Sequence, residues 1–412
     1  MVSMRLATSI ILFFVVVTIH AQVKLSGKVT ASDTHKLIVA ANVYLSNTSI
    51  GSITNEKGEF SITHYPAGSF DLVVSYIGYE TYKIQVEANK IPTSLDIVLQ
   101  PKIVELEEVV VESYDKDGWN KWGQLFIENF IGTSAFASDC TLQNKEVLRF
   151  RLNKKTNEIR VVADDRILIE NKALGYLLKY DMAFFEYNLT TRVFAYKGYA
   201  FFEELETDNK RKENRWTENR KEAYFGSLTH FMRSVFRNKL LEEGFEVRKM
   251  IAVSDQEIKR VKKISPALSA KTINKKATGI DSSDTRNADS TDYYRKVLNL
   301  SGPASVVLDK PLTGDNIAFA VDSVTCGFDF DTHLNIIYRP KKNPVEYVKF
   351  IPHSLAYTPV SSEIYRTSDK LIRILANGCF YEGSNLMTVG YWSWWEKMCN
   401  KLPYEYVPAP KN

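Results

Sequence analysis

Histidine and cysteine are scarce in this chain, six and four respectively among 412 residues. Beyond the first 21 residues the histidines are His35, His64, His230, His333 and His353, and none has glutamate three residues on. Zinc peptidases of the His-x-x-Glu type need that pair plus a distant histidine, so their chemistry is excluded. Cys140, Cys326, Cys379 and Cys399 form no Cys-x-x-Cys pair, which leaves zinc ribbons and redox motifs without support. Also missing are Gly-x-Ser-x-Gly, a Walker loop, Gly-x-Gly-x-x-Gly and His-Glu-x-x-His. No cofactor is therefore expected and no catalytic residue is assigned. A site assembled from distant residues leaves no such trace, so a hydrolase in the C-terminal half stays open. Charge of one sign is lacking too: the net is +4, without the clustered Lys and Arg that nucleic-acid binding requires.

Long apolar runs are confined to the start. Met1-Val-Ser-Met-Arg5 precedes an apolar stretch from Ile10 to Val17, then Ile19-His-Ala-Gln22. A basic start, a short apolar core and a small residue before the cut make a secretory signal, residues 1–21. The run is short of the about 20 residues that span a bilayer. Loss of Arg5 with the leader takes the formal charge from +4 to +3. No cysteine lies near the cut, so a lipoprotein is not expected. The mature chain is expected to carry no transmembrane helix and to reside in the periplasm or at the outer membrane of a Gram-negative bacterium. That compartment permits disulfides, and four cysteines allow three pairings of the full set; whether a bridge forms is open.

From 22 to 101 the residues alternate apolar and polar with period two between turn residues, as half-buried strands do. Val23, Leu25, Gly27 and Val29 alternate with Lys24, Ser26 and Lys28; similar runs centre on Phe60, Leu72, Ile84 and Ile97. With strands around Val43 and Ile53 the count is seven, which predicts an antiparallel β-sandwich. Asn55-Glu-Lys-Gly58 and Pro66-Ala-Gly68 supply turns. Gly51-Ser-Ile-Thr-Asn-Glu-Lys-Gly-Glu-Phe-Ser-Ile62 lies between Ala41-Asn-Val-Tyr-Leu45 and Pro66-Ala-Gly-Ser-Phe-Asp-Leu-Val-Val-Ser-Tyr-Ile-Gly-Tyr79. On these segments the region resembles the carboxypeptidase-regulatory-like (CarboxypepD_reg-like) module, a prealbumin-like β-sandwich. The resemblance implies a non-catalytic module that in exported proteins often precedes the plug of TonB-dependent transporters. Leu106-Glu-Glu-Val-Val-Val111, within a linker strand at 102–117, resembles the strand that follows the module there.

The remainder reads as an antiparallel-sheet α+β region in two parts, 118–264 and 293–412, divided by a flexible polar loop at 265–292 that lacks apolar periodicity. Trp119, Trp122, Leu125, Phe126 and Phe130 recur at helical spacing, with Gly132 as the stop. A strand meander follows from Lys145 to Leu205, with Asp164 and Asp165 at a turn. A helix is expected over 227–243, capped by Ser227 or Thr217 and ended by Gly244. On it His230 reads as a partnered structural histidine rather than a ligand, and Arg233, Arg237 and Lys239 as a solvated face. If Cys326–Leu334 is one strand, Asp329, Asp331 and His333 share a face, either as a metal-ligand set or as ordinary edge-strand alternation. Near the end, Trp392, Trp394 and Trp395 either stack on a sugar or anchor a terminal helix, Ser393 to Leu402, in the core. Trp119-Asn-Lys-Trp-Gly123, Glu128-Asn-Phe-Ile-Gly-Thr-Ser134, Ile169-Glu-Asn-Lys-Ala-Leu-Gly-Tyr176 and Gly390-Tyr-Trp-Ser-Trp394 resemble a region of other exported proteins with the same module, and that resemblance implies no residue roles.

Three functions fit these readings. The first is a non-catalytic exported envelope protein whose sandwich presents an α+β binding or assembly domain, with an outer-membrane protein or a glycan as partner. The second is a signalling or assembly component of a TonB-dependent transporter, pairing through Leu106–Val111 by strand addition. The third is the hydrolase already noted. A complete transporter is not expected, because the residues after the module are too few for a plug and a 22-stranded barrel of about 10 residues per strand.

Overall fold

The computed structural model describes residues 24–63, 65, 68–87, 90, 94–102, 114–264, 285–331, 333–351 and 355–409. The leader, the linker segment Leu106–Val111 and the first part of the polar stretch, 265–284, lie outside the described residues.

Seven strands form the N-terminal unit: β1 Leu25–Ala31, β2 Asn42–Leu45, β3 Gly51–Ile53, β4 Glu59–Ile62, β5 Ser69–Ser75, β6 Tyr82–Glu87 and β7 Leu95–Leu99. They make two sheets, β4-β1-β7 and β3-β2-β5-β6. The period-two positions turn inward. Leu25, Val29, Val43, Leu45, Leu72, Val74 and Leu99 are fully buried in one core, each contributing about 1.5–3 kcal/mol through burial. Between β3 and β4, Asn55 Oδ1 accepts from the backbone N–H of Lys57 and Glu59, both at 2.9 Å. One pairing departs from the all-antiparallel expectation: β7 runs parallel to β1. The chain crosses from one sheet to the other between β6 and β7, so β7 enters beside β1 in the same direction.

Helix α1, Gly118–Phe126, widens into a π-helical turn, Ile127–Ile131, and stops at Gly132. It lies on a sheet of β8 Cys140–Leu142, β9 Leu148–Asn153, β10 Glu158–Ala163, β11 Ile167–Asn171, β12 Tyr176–Asn188 and β13 Phe194–Glu204. The long β12 pairs with β11 along its first half and β10 along its second, and β13 runs along its other edge. Phe126 packs edge-on against Phe185 at 5.2 Å and Phe130 against Tyr180 at 5.2 Å, so the helical stripe is core. Helices α2, Lys210–Tyr224, and α3, Leu228–Phe236, follow. The expected helix over 227–243 thus ends early, and Ser227 caps it by accepting from the His230 N–H at 3.1 Å.

The last unit contains β14 Phe245–Val253, α4 at 255–264, α5 Thr285–Leu298, β15 Ala304–Leu312, β16 Ala318–Ala320, β17 Thr325–Phe328 and β18 His333–Lys342. It continues with α6 Val345–Phe350, β19 Pro359–Arg366, β20 Ile372–Leu375, β21 Phe380–Tyr381, β22 Leu386–Gly390 and α7 Tyr391–Trp395. Sheets β15-β14-β18-β19-β22 and β16-β17-β20-β21 share one core with α3 and α7. The polar stretch expected as loop through 292 is helical from Thr285. Its far end is held by packing: Tyr293, Tyr294 and Val297 meet Val253, Ile258 and Val261, and Asp292 accepts the Asp309 N–H at 2.7 Å. All four cysteines are unpaired thiols.

The sandwich is docked on this body. Asn47 N–H donates to Ala200 O at 2.7 Å and Phe202 N–H to Thr48 O at 3.0 Å, so the β2–β3 turn extends the backbone pairing of β13. Beneath it Asp181 is buried. It receives Arg166 through Nη2 at 2.7 Å and Nε at 3.3 Å, Ser75 Oγ at 2.9 Å, and the Tyr44 hydroxyl.

Candidate binding cleft

The sequence-derived candidates separate clearly. Trp392, Trp394 and Trp395 are 2%, 2% and 4% exposed, and each indole N–H donates inside the protein, to Gly226 O, Thr133 Oγ1 and Ala223 O. No ring face is left for a sugar, so the stacking reading is corrected: these rings anchor the chain end in the core. The helix that carries them is the short α7, ending before a 3-10 turn at Met398–Asn400. The second candidate also fails geometrically. β17 ends at Phe328 and β18 begins at His333, so Asp329, Asp331 and His333 do not share one strand face. Asp329 pairs with Arg366, His333 lies against the Tyr365 ring at 4.7 Å, and no metal-competent cluster occurs among the described residues.

A cavity of about 650 Å³ opens instead beside α3. Tyr224, Phe225 and Tyr338 supply aromatic wall, Pro340 closes one side, and the segment from Tyr404 to Ala409 forms the other. Helical spacing puts His230, Ser234 and Arg237 on one face of α3, and Glu243 returns to meet them. Arg237 holds that carboxylate at 2.8 Å from Nη2, Ser234 Oγ lies 2.6 Å from it, and His230 Nε2 is at 3.1 Å. Burial pushes the Glu243 carboxyl up, but the hydrogen bonds from His230, Arg237 and Ser234, with the Arg237 charge, hold it at about 2. Burial lowers the His230 pKa, against the raising effect of Glu243. The ring is thus a neutral imidazole: Nδ1 accepts the Gly226 N–H at 3.1 Å and Nε2–H donates to Glu243. Both nitrogens are committed, which fits a structural histidine. Gly226 has φ +81°, and a Cβ there would lie 2.6 Å from the Tyr338 ring, so only glycine delivers that N–H.

Arg233 is the main surprise. It was expected on a solvated face with Arg237 and Lys239, yet it is 5% exposed. Its guanidinium donates to the carbonyls of Asn377, Tyr404 and Tyr406 at 2.8, 2.8 and 2.9 Å and lies 5.2 Å from the Tyr224 ring centroid. It therefore fixes the wall that the chain end provides. On that wall Glu405 Oε1 accepts the Ser49 N–H, while Glu405 Oε2 is buried without a partner among the described residues. Glu242, also lining the cleft, is largely exposed. Glu242 pairs with Lys239 at 3.5 Å, so the cleft combines aromatic and aliphatic walls with charged side chains that already have partners. Neither Arg233 nor Glu405 was legible, since their partners lie far off in sequence.

Residues 25–111 match the family described as the CarboxypepD_reg-like domain. The N-terminal sandwich is therefore such a domain, as its motifs implied. The chain is 35% identical to TonB-dependent receptor P39 of Formosa agariphila across 101 residues, 24% of this chain and 9% of the receptor. It is 32% identical to TonB-dependent receptor P3 of the same organism across 109 residues, 25% of this chain and 10% of that one. The chain thus spans about a tenth of the length of these receptors. Among solved structures, a membrane-associated protein of unknown function from Bacteroides fragilis pairs with 89% of this chain and 94% of its own at 11% identity, with a TM-score of 0.16. A DUF3823 family protein from Bacteroides ovatus covers 45% of this chain and 82% of its own, at 12% identity and the same TM-score. No described helix is long and apolar enough to cross a membrane.

Proposed function

We propose that this is a non-catalytic exported envelope protein of a Gram-negative bacterium, in which the CarboxypepD_reg-like domain (22–101) carries an α+β binding domain. The reading rests on one observation above the others: the groups in the cleft suited to acid–base work are already committed to each other. His230 has both nitrogens bonded and Glu243 is held by three neighbours, whereas a catalytic base needs a free site within reach of substrate. The aromatic walls beside polar side chains, among them the largely exposed Glu242, instead suit a ligand with both apolar faces and hydroxyl groups, such as a glycan. A second reading, a component working with a TonB-dependent transporter, draws on the partial likeness to the two receptors.

The discriminating experiment is a pull-down from an envelope fraction beside a glycan array, repeated with Phe225→Ser and Glu242→Gln. Glycan binding lost in those variants supports the cleft. A specific outer-membrane partner retained in both supports the transporter reading. Turnover of an ester, glycoside or peptide panel, abolished by one polar substitution in the cleft, would replace both with a hydrolase.

A further inference from the structure

The connection between β18 and β19 is far longer than a hairpin needs, and its base is fixed. Asn343 N–H donates to Thr358 O at 2.9 Å, and its amide donates to Leu355 O at 3.1 Å and Thr358 Oγ1 at 3.0 Å. Tyr347, in α6, is buried against Tyr391 at 5.5 Å and Trp394 at 5.3 Å. From this base four large apolar side chains face outward: Val345, Phe350, Leu355 and Tyr357 are 63%, 50%, 70% and 81% exposed. Single exposed apolar residues need no explanation, but several on one loop do. Basic residues flank them. Lys342 and Lys349 are exposed, and neither is ion-paired among the described residues. Glu346 is the one carboxylate on the described part of the loop.

We propose that this loop docks on an anionic lipid surface, its apolar side chains entering the headgroup layer and Lys342 and Lys349 meeting lipid phosphates. The pattern favours lipid over a protein partner. Lysine is depleted from protein interfaces, whereas aliphatic and aromatic residues beside unpaired lysines are what the interfacial layer accepts. The buried Tyr347 holds the base, so docking requires no refolding of the body. This inference does not depend on what the cleft binds.

The test is co-sedimentation of the full chain with phosphatidylglycerol/phosphatidylcholine vesicles and with phosphatidylcholine alone. The protein should pellet with the anionic vesicles. Phe350→Ser, Leu355→Ser and Tyr357→Ser together should reduce pelleting to background, with melting temperature and circular dichroism unchanged. Lys342→Gln with Lys349→Gln should weaken partitioning on anionic vesicles by roughly 10- to 30-fold and abolish their advantage over neutral ones. Failure of the unmodified chain to pellet, or unchanged pelleting of the folded triple variant, overturns the proposal. So does loop-dependent dimerisation in light scattering without vesicle binding, which would make the loop a protein interface.

Discussion

Two carboxylates in this molecule are held almost identically and serve different ends. Asp181 and Glu243 each receive an arginine and two further donors, Arg166 with Ser75 and Tyr44 in one case, Arg237 with Ser234 and His230 in the other. The partners of Asp181 stand up to 137 residues away, so its cluster fastens separately folded units. Those of Glu243 come from one helix and the turn after it. Their side chains are 7% and 21% exposed respectively. Sequence distance and burial, more than bonding pattern, separate a fastener from the lining of a cleft.

The strongest way to break this comparison is Asp181→Ala. It leaves the Arg166 charge buried and unpaired, so it should cost about 3–5 kcal/mol, measured by urea denaturation, and should expose the sandwich to limited proteolysis. A loss below about 1 kcal/mol would mean that the junction is not fastened there. Next comes a buried charge with no such partner. Lys397 is 4% exposed, its Nζ has no hydrogen bond among the described residues, and it sits 3.5 Å from the Phe194 ring centroid. Burial lowers its pKa from 10.5 to about 7. Between those values the unfolded chain binds more protons than the folded one, so this group makes stability rise with pH across that window and costs most at and below pH 7. Lys397→Met should therefore gain about 1–4 kcal/mol at pH 7 and flatten the climb in melting temperature between pH 7 and 10.

Glu243→Gln should cost less, about 1–2 kcal/mol at pH 7. The slope with pH has the same sign, but it lies in an acid window and belongs to a group that stabilises the fold rather than one that burdens it. The Glu243 pKa lies at about 2, below the ordinary 4.5, so its contribution is complete above 4.5 and disappears as pH falls toward 2. Acid titrations of the variant should show a shallower decline over that range. Arg237→Gln is expected to have the smallest effect, below about 1 kcal/mol, because its side chain is 40% exposed and water screens the pair. A larger loss would place Glu243 with Asp181 among the fasteners.

Legibility followed the same division. The sandwich was readable because most of its strands alternate inward and outward, so Phe60 and Ile62 carry their own inward mark, as do Val29 and Leu25. Helix α2 carried none. Its residues are mostly charged, and it is positioned by long-range bonds: Trp216 to Lys172 O at 2.8 Å, Asn219 to Ala173 O at 2.8 Å and Arg220 to Leu174 O at 2.7 Å. Arg233 looked like surface because charge is a poor guide once backbone carbonyls converge on it. The tryptophans near the end offered two meanings, and only tertiary burial chose between them. The cleft itself was invisible, since the Tyr404–Ala409 wall meets α3 across more than 150 positions.

The clasp at residue 404 also ties the cleft to the sandwich. Tyr404 N–H donates to Asn47 O at 2.8 Å and Glu405 receives Ser49, so the segment that walls the cleft also grips the β2–β3 turn. A disturbance at the sandwich edge is thereby passed directly to the cleft, since one segment serves both.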